Sequence, residues 1–126
     1  MIVAVLARHA GIALGQADVF VNVAGGVRID EPGADLAVAL AIASAARRRP
    51  VRAGTAAFGE IGLTGRLRPA AQAARRLEEC GKLGLREVVA PPGTPKRSGL
   101  RVTEVETLRQ ALRAALEVAA EEPAAP

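Results

Sequence analysis

The chain has 126 residues, of which 50% are apolar and 2% aromatic, with neither Trp nor Tyr. This composition excludes a disordered chain and predicts one globular domain over residues 1–120, followed by a disordered tail at residues 121–126. Lys and Arg number 17 against 13 Asp and Glu. An arginine-rich charge excess suits phosphate, because guanidinium binds oxygen pairs bidentately, although a high-GC or thermophilic genome would favour the same composition.

The apolar spacing at the start of the chain predicts a buried helix over residues 2–10. Alternating valines predict a strand within residues 18–26, and residues 27–29 form a short strand or its extension. The second predicted helix begins at Asp35, and either Asp35 or Asp30 is the expected N-cap. The helix from Asp35 to Arg47 is apolar on every side, so we expect it to be buried on every side.

The second half of the chain repeats the alternation of strands and helices. Residues 55–69 read as strand, turn and strand, and Pro69 is expected to open the next helix, which ends at Gly81 or Gly84. Strands follow over residues 86–91 and 100–105, and a capping box at Thr107–Gln110 opens a last helix that extends to Ala119. The whole pattern predicts an α/β fold, with a mixed sheet covered by helices.

Several classes of site are excluded or disfavoured. Cys80 is the only cysteine, which leaves no disulfide framework or cysteine zinc site, and we expect it in the core. His9 is the only histidine, so no metal site is predicted and a serine triad would depend on this one residue. The apolar run at residues 1–7 is too short to span a membrane. We therefore expect a reducing, cytoplasmic location without membrane contact.

Glycine spacing does not encode a nucleotide site. Gly54 and Gly59 have the separation of a phosphate-binding loop, but Glu60 stands where that motif requires Lys. The acidic group Asp30, Glu31 and Asp35 could form a carboxylate site. Helix capping with ion pairs to nearby arginines is the favoured interpretation.

Residues 31–76 resemble the Lon-type peptidase domain. The segment EPGAD, residues 31–35, falls on the Gly-Pro-Ser-Ala-Gly turn of that family, and GEIGLTGRLRP, residues 59–69, falls on its second conserved segment. The alignment places Gly33 at the nucleophile position and Arg76 at the position of the lysine base. Glycine has no hydroxyl and arginine stays protonated, so the resemblance implies a domain without peptidase activity. An active peptidase remains the least favoured alternative.

A closer resemblance is to the C-terminal Lon-like domain of the RadA (Sms) family of bacterial repair ATPases. It is carried by residues 18–44, 58–69, 75–84 and 102–112. It implies a Lon peptidase-like or ribosomal protein S5 domain 2-like fold, with no catalytic residue and no cofactor in this domain. ATP, Mg and Zn would belong only to the zinc-finger and ATPase domains of that family. The implied partners are DNA, other copies in a hexameric ring during branch migration, and a recombinase as a further candidate.

The basic residues suggest a phosphate-backbone contact with little sequence preference, because exposed aromatic stacking platforms are scarce. Strandedness is left open. The alternative is a pure oligomerisation scaffold, with DNA bound only by the ATPase core. The predicted DNA-binding residues are Arg47, Arg48, Arg49, Arg52, Arg66, Arg68, Arg75, Lys82, Lys96 and Arg97.

Overall fold

The computed structural model describes residues 32–117. The predictions made for residues 1–31 and 118–126, which include His9, Asp30, Glu31, Ala119 and the tail, lie outside these residues. A 3-10 turn at Pro32–Ala34 opens the described region. The elements that follow in chain order are α1 (Asp35–Arg47), β1 (Thr55–Ala57), β2 (Glu60–Ile61), β3 (Leu67–Arg68), α2 (Ala73–Lys82), β4 (Glu87–Ala90), β5 (Arg101–Glu104) and α3 (Leu108–Ala115).

Three strands form a parallel sheet in the order β1-β4-β5. Thr55 pairs with Glu87, which pairs on its other side with Arg101, so the three strands begin at the same edge. Strands β2 and β3 form a separate antiparallel hairpin. The predicted α/β class is therefore confirmed, with a mostly parallel sheet among the described residues.

After Glu87, the central strand β4 is apolar and buried because helices cover both of its faces. Val89 packs with α1 and α3 in one core cluster. Val88 and Ala90 point the other way and pack with Leu77 and Cys80 of α2. Cys80 is buried as predicted. Within residues 32–117, no helix is long and apolar enough to cross a bilayer.

The prediction that α1 is buried on every side is wrong. One stripe of the helix, which includes Leu36 and Leu40, is buried, whereas Ala37, Ala41 and Ala45 are exposed. Alanine costs little to expose, so an alanine-rich helix can be apolar all round without a partner on each face. The expected cap at Asp35 is also wrong, because Ala34 is the N-cap and Asp35 accepts a hydrogen bond from Ile61 N (3.2 Å).

Two helix ends differ from the predictions. Helix α2 begins at Ala73 and not after Pro69, because Gln72 has left-handed backbone geometry (φ 58°) and interrupts the helix there. Helix α3 ends at Ala115, since Leu116 turns to extended geometry and bridges to Val51. The start of α3 is as predicted: Thr107 Oγ1 accepts a hydrogen bond from Gln110 N (3.2 Å).

Candidate functional site

The starting edge of the parallel sheet collects a dense group of cations, which we name the basic edge. Seven residues separate the end of α1 from the start of β1, and α2 ends shortly before β4. Parallel strands start together, so the residues that precede them meet at one end of the fold. The basic edge comprises Arg47, Arg48, Arg49, Arg52, Lys82, Arg86, Arg97 and Arg101.

Backbone hydrogen bonds fix three members of this edge, Arg52, Arg86 and Arg101, in the folded framework. Arg86 N donates to Gly54 O (2.8 Å), and Arg101 N donates to Arg86 O (2.9 Å). Arg52 N donates to Ala115 O (2.8 Å), which brings the end of α3 to the same edge. Arg97 lies over the last turn of α2: a Cβ built on Gly81 would be 3.4 Å from its Nε. The edge is therefore part of the folded framework.

Only some of these cations are paired with carboxylates. Arg52 Nη2 lies 2.7 Å from Glu87 Oε1, and Lys82 Nζ lies 3.6 Å from Glu79 Oε2. Exposed pairs of this kind contribute about 0–1 kcal/mol and compete weakly with an incoming phosphate. Among residues 32–117, four exposed members of the edge have no ion-pair partner: Arg48, Arg86, Arg97 and Arg101.

Helix ends explain part of this charge. Cations near helix C-termini offset the partial negative charge of the last carbonyls, typically by about 0.3–1 kcal/mol. That argument covers Arg47 and Lys82, each of which lies in the last turn of its helix. It does not cover Arg86 or Arg101, which lie directly before or at the start of strands.

The structure does not bring all predicted DNA-binding residues to this edge. Arg66 and Arg68 lie on the β2–β3 hairpin, where Arg68 Nη1 is 3.4 Å from Glu60 Oε1. Arg75 lies in the first turn of α2. Lys96 Nζ lies 3.2 Å from Glu104 Oε2 at the far end of β5.

Arg86 was missed by the sequence analysis. No basic run surrounds it, so the sequence alone gives it no signal as part of a patch. A usable signal was its position, since it is the first residue of the predicted strand over residues 86–91, and Arg101 is the second residue of the predicted strand over residues 100–105.

At the opposite end of the sheet, Gly33 and Arg76 are in contact. A Cβ built on Gly33 would lie 2.6 Å from Arg76 Nη2 and 3.2 Å from Ala70 Cβ. The Gly33 carbonyl accepts a hydrogen bond from Gly59 N (3.0 Å), which ties the turn before α1 to the end of β1. The arginine therefore occupies the space that a side chain at position 33 would need.

Arg76 is held in place on several sides. Its Nε donates a hydrogen bond to Ala71 O (2.9 Å), and its guanidinium carbon lies 5.9 Å from the centre of the Phe58 ring. Guanidinium over an aromatic face adds a cation–π attraction. The Gly33–Arg76 contact thus places a permanently charged guanidinium against a glycine. Position 33 has no nucleophile and position 76 has no base.

An open pocket of about 410 Å³ adjoins this contact, lined by Phe58, Gln72, Arg75, Arg76, Glu79, Cys80 and Ala57. Burial raises the pKa of the Cys80 thiol, and the charge of Glu79 raises it further. The thiol therefore stays protonated near neutral pH and is a poor nucleophile. Residues 32–117 contain no cluster of three His, Cys, Asp or Glu side chains that could hold a metal ion.

Comparisons with known proteins identify the family of the chain. A family profile described as "Subunit ChlI of Mg-chelatase" matches residues 2–94. The chain belongs to this family. Within the described part of this match, Gly54 and Gly59 flank the extended strand β1, and Glu60 follows where a phosphate-binding loop has Lys.

Curated relatives carry the name "DNA repair protein RadA". The chain is 44% identical to the Pseudomonas aeruginosa protein over 120 residues, covering 93% of this chain and 26% of the relative. It is 41% identical to the Escherichia coli protein over 115 residues, covering 89% and 25%. The predicted resemblance to the RadA family is thereby confirmed. The chain spans about a quarter of the length of these relatives.

Proposed function

We propose that this chain is a non-catalytic, Lon-like domain of a RadA-type recombination and repair ATPase, and that its basic edge binds the DNA backbone without sequence preference. The kinship with proteins named "DNA repair protein RadA" supports the setting. The single observation that carries the DNA contact is the gathering of exposed arginines at one edge of the sheet, of which Arg48, Arg86, Arg97 and Arg101 have no ion-pair partner among residues 32–117. In this proposal residues 1–120 form one domain with a tail at residues 121–126, in the cytoplasm, and ATP, Mg and Zn serve other domains of the longer protein.

The absence of peptidase activity is part of this proposal and rests on the Gly33–Arg76 contact. A serine at position 33 would need the space that Arg76 Nη2 occupies. Arginine cannot accept a proton from a hydroxyl at physiological pH. Digestion of casein by the purified chain tests this point, and cleavage above that of a buffer control would contradict it.

The DNA contact is tested with matched charge variants. The edge variant replaces Arg48, Arg86 and Arg101 with Gln. The control variant replaces Arg66, Arg75 and Arg109 with Gln. All six side chains are exposed, and each variant removes the same charge. Anisotropy of labelled DNA across a salt series gives the slope of log K against log salt, which changes by about 0.9 per duplex phosphate contact.

We expect the edge variant to show a slope shallower by about 2–3 and the control variant to keep the original slope. Equal changes in both variants would mean that any cation on the protein contributes, and would overturn the basic edge as the interface. Absence of binding at low salt in the unmodified chain would overturn DNA contact and leave the oligomerisation scaffold.

A specific observation also favours self-association, which in this proposal builds the ring for branch migration. Ala37, Ala41 and Ala45 are exposed along one side of α1, and small side chains let two backbones approach closely. Light scattering after size-exclusion chromatography tests this with Ala41→Glu. Loss of an oligomer in the variant supports the α1 contact, and an unchanged oligomer contradicts it.

A further inference from the structure

One apolar side chain projects from the basic edge into solvent. Leu83 is 74% exposed and directly follows Lys82 at the end of α2. Arg97 lies over the same helical turn, and Arg86 follows three residues later. The exposed leucine thus lies close in the chain to Lys82 and Arg86, and near the helical turn over which Arg97 lies.

The local turn does not require this leucine. Gly84 N donates to Gly81 O (3.1 Å) and Leu85 N to Cys80 O (3.0 Å), and Gly84 has φ 77°. These bonds form a Schellman motif, whose hydrophobic contact comes from the residue after the glycine. Leu85 makes that contact and packs against the α2 cluster. The side chain of Leu83 contributes nothing to the motif.

A second exposed leucine provides a contrast. Leu63 is 72% exposed at the tip of the β2–β3 hairpin, at the other end of the sheet. Scattered surface leucines are common and need no function. What distinguishes Leu83 is its position inside a cationic edge.

An apolar side chain between phosphate-binding cations fits duplex DNA better than a single strand. Proteins that bind the minor groove insert leucine and similar wedges between base steps while cations hold the flanking backbones. Single strands are instead held by stacking on exposed aromatic rings. Phe58, the aromatic residue within residues 32–117, is buried.

Resting on the proposed function, we propose that the basic edge binds duplex DNA through its minor groove, with Leu83 as an apolar wedge. Arg86 and Arg97 contact phosphates on either side of the inserted side chain. The duplex is therefore the preferred ligand of this edge, and the base contact is hydrophobic and independent of sequence.

The test uses Leu83→Ala, Leu83→Met and the matched control Leu63→Ala, in the full chain with a labelled duplex. Phosphate contacts release counterions and therefore set the slope of log K against log salt, whereas burial of an apolar side chain changes the affinity without changing that slope. A salt series therefore separates the two contributions. We expect Leu83→Ala to give a parallel line displaced by about 5–10-fold toward weaker binding, from partial burial of the leucine side chain. Leu83→Met and Leu63→Ala should coincide with the unmodified chain, and netropsin, which occupies the minor groove, should compete.

Each other outcome has a defined meaning. If the unmodified chain binds with a steep slope but Leu83→Ala coincides with it, the wedge is overturned and the phosphate contact stands. Equal weakening by Leu63→Ala, or equal affinity for the single strand, also overturns the wedge. If the unmodified chain binds no DNA at low salt, the proposed function fails together with this inference.

Discussion

The two ends of the parallel sheet use arginine in opposite ways. At the strand C-terminal end, Arg76 is half-buried, donates to Ala71 O and lies against both Gly33 and the ring of Phe58. At the strand N-terminal end, Arg86 and Arg101 are exposed and have no ion-pair partner within residues 32–117. Charge alone does not distinguish these residues. The contacts to which each side chain is committed separate an arginine that supports the fold from one that is available to a ligand.

The largest expected effect comes from removing the ring under Arg76. Phe58 is 4% exposed and packs against Leu77 and Val88. Phe58→Ala should lower the free energy of unfolding by about 3–5 kcal/mol, because it leaves a cavity in that cluster. Urea unfolding measures this loss.

If the two ends of the sheet are independent, Phe58→Ala should lower stability without affecting DNA binding at the basic edge. Where the Phe58→Ala chain remains folded, the salt slope of DNA binding should not change. The control, Phe58→Leu, should cost much less because it keeps most of the volume. A slope that changes with Phe58→Ala would show that the two ends are not independent.

The next effect tests the contact between Gly33 and Arg76 directly. Gly33→Ala should cost about 1–3 kcal/mol, since its Cβ displaces Arg76 and crowds Ala70. Combined with Arg76→Ala, the same substitution should cost less, with a coupling energy of about 0.5–3 kcal/mol in a double-mutant cycle. Urea unfolding of the four proteins provides the cycle. Additive costs would show that the arginine moves aside freely and that glycine is not required there.

Much of this corner could be predicted from the sequence. The aligned motifs place Gly33 and Arg76 at paired positions, and the structure brings them into contact across 43 residues of chain. The continuous apolar run also predicted α1 with its observed bounds, Asp35–Arg47. It could not predict that Gln72 adopts a left-handed geometry before α2, because nothing in the local residue type favours that conformation.

The basic edge was only partly predictable for a related reason. Arg47–Arg49 stand out as a run, but Arg86 is isolated in sequence and joins the edge only because β4 pairs in parallel with β1 and β5. A linear reading groups cations by distance along the chain. The fold groups them by the end of the sheet at which they lie, so Arg66 and Arg75 belong elsewhere.

A smaller effect separates the contribution of Arg48 to stability from its proposed contribution to DNA binding. Arg48 caps the end of α1 with left-handed geometry (φ 54°), which strains a residue with a Cβ. Arg48→Gly should raise the free energy of unfolding by up to about 1 kcal/mol, because glycine adopts that geometry without a steric penalty. The same variant should make the salt slope of duplex binding shallower by about 0.9, for one lost phosphate contact.

Thermal unfolding and anisotropy measure the two readouts for Arg48→Gly. Arg48→Asn serves as the control, since asparagine also tolerates the left-handed region and carries no charge. A more stable chain with an unchanged slope would remove Arg48 from the interface. A shallower slope in a destabilised chain would contradict the assigned strain.

The smallest effect concerns Glu104, which fixes the loop between the two ends. Its carboxylate accepts hydrogen bonds from Gly93 N (2.7 Å) and Lys96 Nζ (3.2 Å), and the loop then runs on to Arg97 at the basic edge. The bond from the Gly93 amide, followed by that from Lys96, holds the pKa of Glu104 below its ordinary value of 4.5. A depressed carboxylate pKa means that the folded state binds the proton less well than the unfolded state.

The stabilisation from Glu104 is therefore fully present above pH 4.5 and is lost as the pH falls through the lower folded pKa. We expect the Gly93 amide resonance to follow this titration, with a midpoint below 4.5, and to stay flat in Glu104→Gln. Since the glutamine cannot pair with Lys96, the melting temperatures of the two proteins should converge as the pH falls through this window. A Gly93 midpoint at or above the ordinary value would show that the loop is not held by the carboxylate, and that the position of Arg97 at the basic edge depends on its packing over Gly81 alone.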